Sequence, residues 1–122
     1  MEGLTVISLM TLFFQLLIGH AIGDFVLQPN PMSSGKNRHN RLQDQYGDGF
    51  PPWYYWLSAH ALTHAGIVYI VTGSALCALL ECISHWLIDF GKCEKNYSLH
   101  VDQCLHLLVK AALCILLVYF PS

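Results

Sequence analysis

Four apolar stretches of near-spanning length follow one another in a chain of 122 residues, and this succession constrains the fold more than any other feature. They run over residues 6–28, 53–72, 74–90 and 99–120. An α-helix needs about 20 largely apolar residues to cross roughly 30 Å of hydrocarbon, and in lipid the backbone must satisfy its polar groups within the segment. The pattern predicts an all-α, integral membrane four-helix bundle forming a single domain over 1–122. Gly73-Ser74 is the one break between the second and third stretches, which predicts a tight helical hairpin there.

Composition excludes the main alternatives. Charged residues make up 11% of the chain and hydrophobic residues 54%, with mean hydropathy +0.43. Soluble domains carry about a quarter charged residues, and disordered chains more. Six Lys and Arg against eight Asp and Glu give a net charge of −2, so no nucleic-acid partner is expected. The five cysteines, Cys77, Cys82, Cys93, Cys104 and Cys114, form no C-x-x-C and no even framework; they read as small apolar residues. Glu2 stands before the first apolar run with no Lys or Arg, and no small-residue cleavage site follows it, so the run is expected to be a retained span.

Basic residues set the expected orientation. Lys36, Arg38 and Arg41 lie in the loop over 29–52, and Lys92 and Lys95 in the loop over 91–98. Basic loops stay in the cytoplasm, which makes 29–52 a cytoplasmic loop and puts both termini on the non-cytoplasmic side. Trp53, Tyr54, Tyr55 and Trp56 fit an aromatic belt at one interface and Tyr119 at the other. Five prolines and glycines between Pro29 and Gly49, followed by Pro51-Pro52, predict an irregular loop, either a connector or a lid over a substrate site.

Each apolar stretch also carries two polar residues four apart: His20 and Asp24, His60 and His64, His85 and Asp89, Asp102 and His106. Positions i and i+4 share a helix face. The antiparallel order puts the pairs near the ends of stretches one and three and near the starts of two and four. All four therefore fall at one depth, in the cytoplasmic half of the bilayer. An aspartate at the bilayer centre costs about 2.5–3.5 kcal/mol on the insertion scale, so three of them need compensation. A divalent metal supplies it; imidazole and carboxylate suit zinc first, with manganese, iron or nickel as further candidates. His20, Asp24, His60, His64, His85, Asp89, Asp102 and His106 are the candidate ligands, with Asp24 or Asp102 as general base. Haem held by histidines is disfavoured because it needs no aspartates nearby. A proton or metal-ion path, and a structural subunit whose metal only holds the helices together, are the competing readings.

Glu81 lies four residues before His85, and Lys110 four after His106, which predicts an ion pair one turn deeper. Gln28 extends the first face as a ligand, substrate contact or cap, and Gln103 is expected to support the ligands. Thr63 and Ser84 read as helix-packing residues, His39 as a solvated loop residue, and His100 lies near the mouth.

The segments G-H-A-I-G-D-F-V-L-Q (Gly19 to Gln28), A-H-A-L-T-H (Ala59 to His64), S-H-W-L-I-D (Ser84 to Asp89) and D-Q-C-L-H (Asp102 to His106) together resemble a family of uncharacterised bacterial integral-membrane proteins, a domain of unknown function. The resemblance covers nearly the whole chain and implies a multi-pass protein of the bacterial inner (cytoplasmic) membrane. The arrangement is also similar to that of small membrane-bound metal-dependent hydrolases. By that architectural analogy the expected partners are the lipid bilayer and a lipid or small-molecule substrate. Four short spans bury little interior, so a homodimer is a further expectation, although no clear G-x-x-x-G supports it.

Overall fold

The computed structural model describes residues 6–120; Glu2 lies outside the described residues. Its regular elements are all helical. α1 covers Val6–Ala21 and continues as a π-helical turn, Ile22–Val26, in which the Leu27 N–H reaches the Ile22 carbonyl at 2.8 Å. Three long helices follow the loop: α4 (Trp53–Thr72), α5 (Ala75–Cys93) and α6 (Leu99–Tyr119). The hairpin falls where expected: α4 stops at Thr72, and the Ser74 hydroxyl accepts from the Cys77 N–H to cap α5. Ser98 caps α6 likewise through Val101.

Two segments, Val6–Val26 and Leu99–Tyr119, are long and apolar enough to cross a membrane. α4 and α5 do not reach that mark.

The loop over 29–52 differs from its expected irregularity. It folds into α2 (Asn30–Gly35), a 3₁₀ turn (Arg38–Asn40) and α3 (Leu42–Tyr46). The prolines start helices here: Pro29 is the cap residue of α2, and Pro31 sits in its first turn, where a missing N–H costs nothing. The expected aromatic belt is divided. Tyr54, Tyr55 and Tyr119 are exposed. Trp53 packs on Trp86 and Phe90, and Trp56 lies against Phe50 and over Gly35.

The interior is layered along the bundle. At the end near the α4–α5 turn, Leu16, Val68, Cys77, Leu113, Cys114 and Leu117 form an apolar core. Buried Glu81 and Lys110 come next, and then the histidines and aspartates, beneath α2 and the turn between α5 and α6. The outer surface is the reverse. Ile7, Phe14, Leu62, Ile70, Leu79, Leu87, Leu108 and Ile115 are exposed, so apolar side chains line the outside of all four long helices.

Candidate metal centre

All eight expected side chains meet in one buried cluster. His20, His60, His64, His85, Asp89, Asp102 and His106 are each at most 5% exposed, and the Asp24 side chain is 8% exposed. Asp24 is the hub on one side. Its Oδ1 lies 3.2 Å from His60 Nε2, 2.9 Å from His64 Nε2 and 3.7 Å from His85 Nε2. Asp89 is the hub on the other. Its Oδ1 lies 3.0 Å from His106 Nε2, and its Oδ2 lies 3.3 Å from His60 Nε2 and 3.4 Å from His85 Nε2. Asp102 Oδ1 is 3.5 Å from His106.

Local backbone chemistry explains these positions. The π turn places Asp24 over the end of α1, and inserted π turns are frequent at functional sites. Gly23 within that turn lies flat against the His64 ring; a Cβ there would sit 2.5 Å from His64 Cε1. Only glycine lets the His64 ring approach the backbone of the turn this closely. On α4 the repeat His60, His64 and Val68 keeps one face inward.

The supporting shell is also in place. Gln103 Nε2 donates to Asp24 Oδ2 and to Asp102 Oδ2, each at 3.0 Å, and Gln103 Oε1 accepts from His20 Nε2 at 2.9 Å. Gln28 turns back to donate to the Asp24 carbonyl. His85 Nδ1 donates to Glu81 Oε1 at 3.2 Å, and Glu81 in turn pairs with Lys110, as its spacing predicts. This carboxylate–histidine contact fixes the tautomer and leaves Nε2 as the free nitrogen of His85. Five buried atoms of the eight cluster residues have no hydrogen-bond partner: His20 Nδ1, His60 Nδ1, His64 Nε2, His85 Nε2 and Asp102 Oδ1. Buried polar atoms are normally satisfied, and a bound cation would satisfy the lone pairs among these.

Two groups have ligand atoms close enough to hold a metal ion, within 4.8 Å of one another: Asp24, His60, His64 and His85, and then His85, Asp89 and His106. His20 and Asp102 belong to neither group, though both border them.

Sequence reasoning missed Lys36. Read as a loop cation, it is 7% exposed, and its Nζ donates to Asp89 Oδ2 at 2.8 Å. No spacing rule links it to the bundle. The one local signal is Gly35, where a Cβ would sit 2.5 Å from Trp56 Cδ1, so α2 lies directly on α4. His39 is not merely solvated: with Arg38 it binds Glu94, at 3.1 Å from its ring nitrogen. The Arg38 guanidinium, followed by His39, holds the Glu94 carboxyl down at about 2. Thr63 and Ser84 bond carbonyls of their own helices, Ala59 and Glu81, rather than linking helices.

A cleft of ≈ 290 Å³ leads from the surface to the cluster. Asp24, Asp89 and Asp102 form its floor, Lys36, Lys92, Gln28 and Ser33 its polar wall, and Phe25 and Leu99 its apolar rim.

A family described as protein of unknown function, DUF3307, matches residues 12–121, which include all eight cluster residues. The chain belongs to that family. No curated protein and no solved structure matches the chain. The family's description carries no activity, so the chemistry rests on this chain's own residues.

Proposed function

We propose that the protein is a membrane-embedded, divalent-metal-dependent hydrolase whose centre opens through the aspartate-floored cleft. One observation supports this above all: five imidazoles and three carboxylates from four helices converge, with unpartnered lone-pair atoms, beneath a cleft of small-molecule size.

The two candidate groups share His85, which has one free nitrogen, and one lone pair binds one ion. His85, Asp89 and His106 form the catalytic group in this reading. Three protein ligands leave a coordination position open, whereas four close the site as in structural zinc. An ion held by these three residues, zinc first among the candidates and manganese or iron next, would supply Lewis-acid activation of water near neutral pH. Asp102 is the general base, because its Oδ1 is unpartnered while Asp24 already accepts from His60 and Gln103. His20, His60 and His64 orient the carboxylates.

The membrane setting rests on the inverted surface. Apolar side chains outside and charges inside suit lipid, and large contiguous apolar surface is rare on soluble monomers. In this reading all four long helices cross, α4 and α5 by keeping their polar faces against the cluster. The basic loops put the cleft at the cytoplasmic face of the inner membrane, with both termini opposite.

A transport path fits less well. Beyond Glu81 and Lys110, the described interior is closed by Leu16, Val68, Leu113 and Leu117, with no further charged side chain.

Elemental analysis of the full chain purified in detergent tests the proposal. One divalent ion per chain is expected, lost in His106→Ala. Asp102→Asn is expected to keep the ion and the fold but lose turnover. Metal-free wild-type protein that stays metal-free after incubation with zinc, manganese and iron overturns the reading.

A further inference from the structure

The cleft has an electrostatic design of its own. Its floor carries three carboxylates, Asp24, Asp89 and Asp102, and its walls two ammonium groups, Lys36 and Lys92. Without metal the lining bears one net negative charge; a divalent ion makes it one net positive. Lys36 is tied to Asp89. Lys92, half-buried and three residues after Asp89 on the same face of α5, has no carboxylate within ion-pair distance among the described residues. An unneutralised ammonium on the wall of a partly enclosed cleft is a binding group for an anion. Gln28, Asn30 and Ser33 add neutral polar groups beside it.

From this lining we infer that the cleft receives a phosphate ester, with Lys92 and Lys36 holding two phosphoryl oxygens while a third faces the metal. The inference rests on the metal-centre reading above. A tetrahedral phosphoryl group offers three oxygens to the three cations, whereas a carboxylate offers two. The volume, ≈ 290 Å³, suits a headgroup-sized molecule rather than a macromolecule. Water attacks phosphorus and gives its proton to Asp102. The ester P–O bond breaks, and that proton passes to the departing alkoxide, yielding inorganic phosphate and an alcohol. The shared chemistry covers two sources, a soluble phosphomonoester and a lipid phosphate. Exposed Phe25 and Leu99 at the rim join the cleft to the apolar outer surface, which gives an acyl chain a place to lie.

The test uses the full chain in detergent, with metal content measured on the same sample. Inorganic phosphate, titrated by calorimetry, is expected to bind the metal-loaded protein and to bind at least about tenfold more weakly after chelation, because removing a divalent ion beside an anion costs well over 1.4 kcal/mol. Lys92→Gln is expected to weaken phosphate binding by about tenfold with metal content unchanged, and Lys92→Arg to retain it. Metal-loaded protein that fails to bind phosphate overturns this inference and leaves the metal centre standing; absence of metal overturns the centre itself. An unchanged affinity in Lys92→Gln also overturns the inference. Phosphate release is then followed from 4-nitrophenyl phosphate and from phosphatidic acid in phosphatidylcholine vesicles. Turnover of the first alone assigns a soluble ester, turnover of the second alone a lipid, and turnover of neither overturns the substrate class.

Discussion

Gly23 and Glu81 show how much of the centre depends on residues outside the candidate ligand set. A methyl group on Gly23 would meet the His64 ring at 2.5–2.9 Å, and neither backbone can retreat without moving a candidate ligand. Gly23→Ala is therefore expected to weaken metal binding roughly tenfold or more while the helices persist, measured by competitive metal titration beside circular dichroism. Glu81 acts through two contacts, to His85 Nδ1 and to Lys110. Replacing it alone by Gln strands a buried ammonium and is expected to destabilise the chain by about 3–5 kcal/mol. The double variant Glu81→Gln, Lys110→Met removes both charges. It is expected to recover most of the thermal stability yet still bind metal roughly 10–100-fold more weakly, because the His85 ring has lost its anchor. Equal metal affinity in the double variant and the wild type would reduce the pair to a packing device. The Glu81–Lys110 pairing was legible from the i, i+4 spacing on two helices. The role of Gly23 was not, since a glycine shows its neighbours only once the helices are packed.

Among the elements, the loop over 29–52 carries the largest difference between expectation and structure. Its glycines and prolines suggested irregular chain, but α2 delivers Lys36 to Asp89, and the 3₁₀ turn is pinned by Arg38 and His39 to Glu94 at the end of α5. Glu94 is more acidic in the folded chain, at about 2, than its ordinary 4.5, chiefly through the Arg38 hydrogen bonds. The pin therefore contributes fully above pH 4.5 and is lost as the pH falls through about 2. Pepsin cleavage within 36–52 is expected to rise as the pH is lowered from 4.5 towards 2. In Glu94→Gln cleavage is expected to be high across that whole range. A cleavage rate that ignores both pH and substitution would mean that the loop is held by α2 alone. The first helix offers a second instance. His20 and Asp24 were placed on one face by assuming an α-helix throughout. The structure inserts a π turn at Ile22–Val26 and still keeps the two side chains 3.3 Å apart.

For the molecule as a whole, the arrangement is a bundle with its charges inside and its apolar residues outside. Of the three aspartates in the cluster only Asp89 has a lysine partner, Lys36, among the described residues, so the metal proposed above would be linked to stability. Saturating zinc, at about 100 times its dissociation constant, is expected to add about 2.7 kcal/mol to the stability of the purified protein. Thermal unfolding in detergent, with metal and then with a chelator, checks this; identical midpoints would argue that the cluster holds no ion. Asp102→Ala separates catalysis from a purely structural metal: a folded, metal-bound and inactive protein supports the first, and loss of folding the second.

The four apolar stretches and their polar pairs determined the number of long helices, the hairpin at Gly73-Ser74 and the gathering of eight side chains, because helical periodicity and antiparallel order fix which residues share a face and a level. Tertiary structure alone decided that Lys36 enters the cluster from outside the bundle, that Gly23 and Gly35 seat the His64 and Trp56 rings, and that three aspartates open onto a lysine-walled cleft. Those features join residues dozens of positions apart, and no local pattern in a chain encodes the packing of a loop onto the end of a bundle.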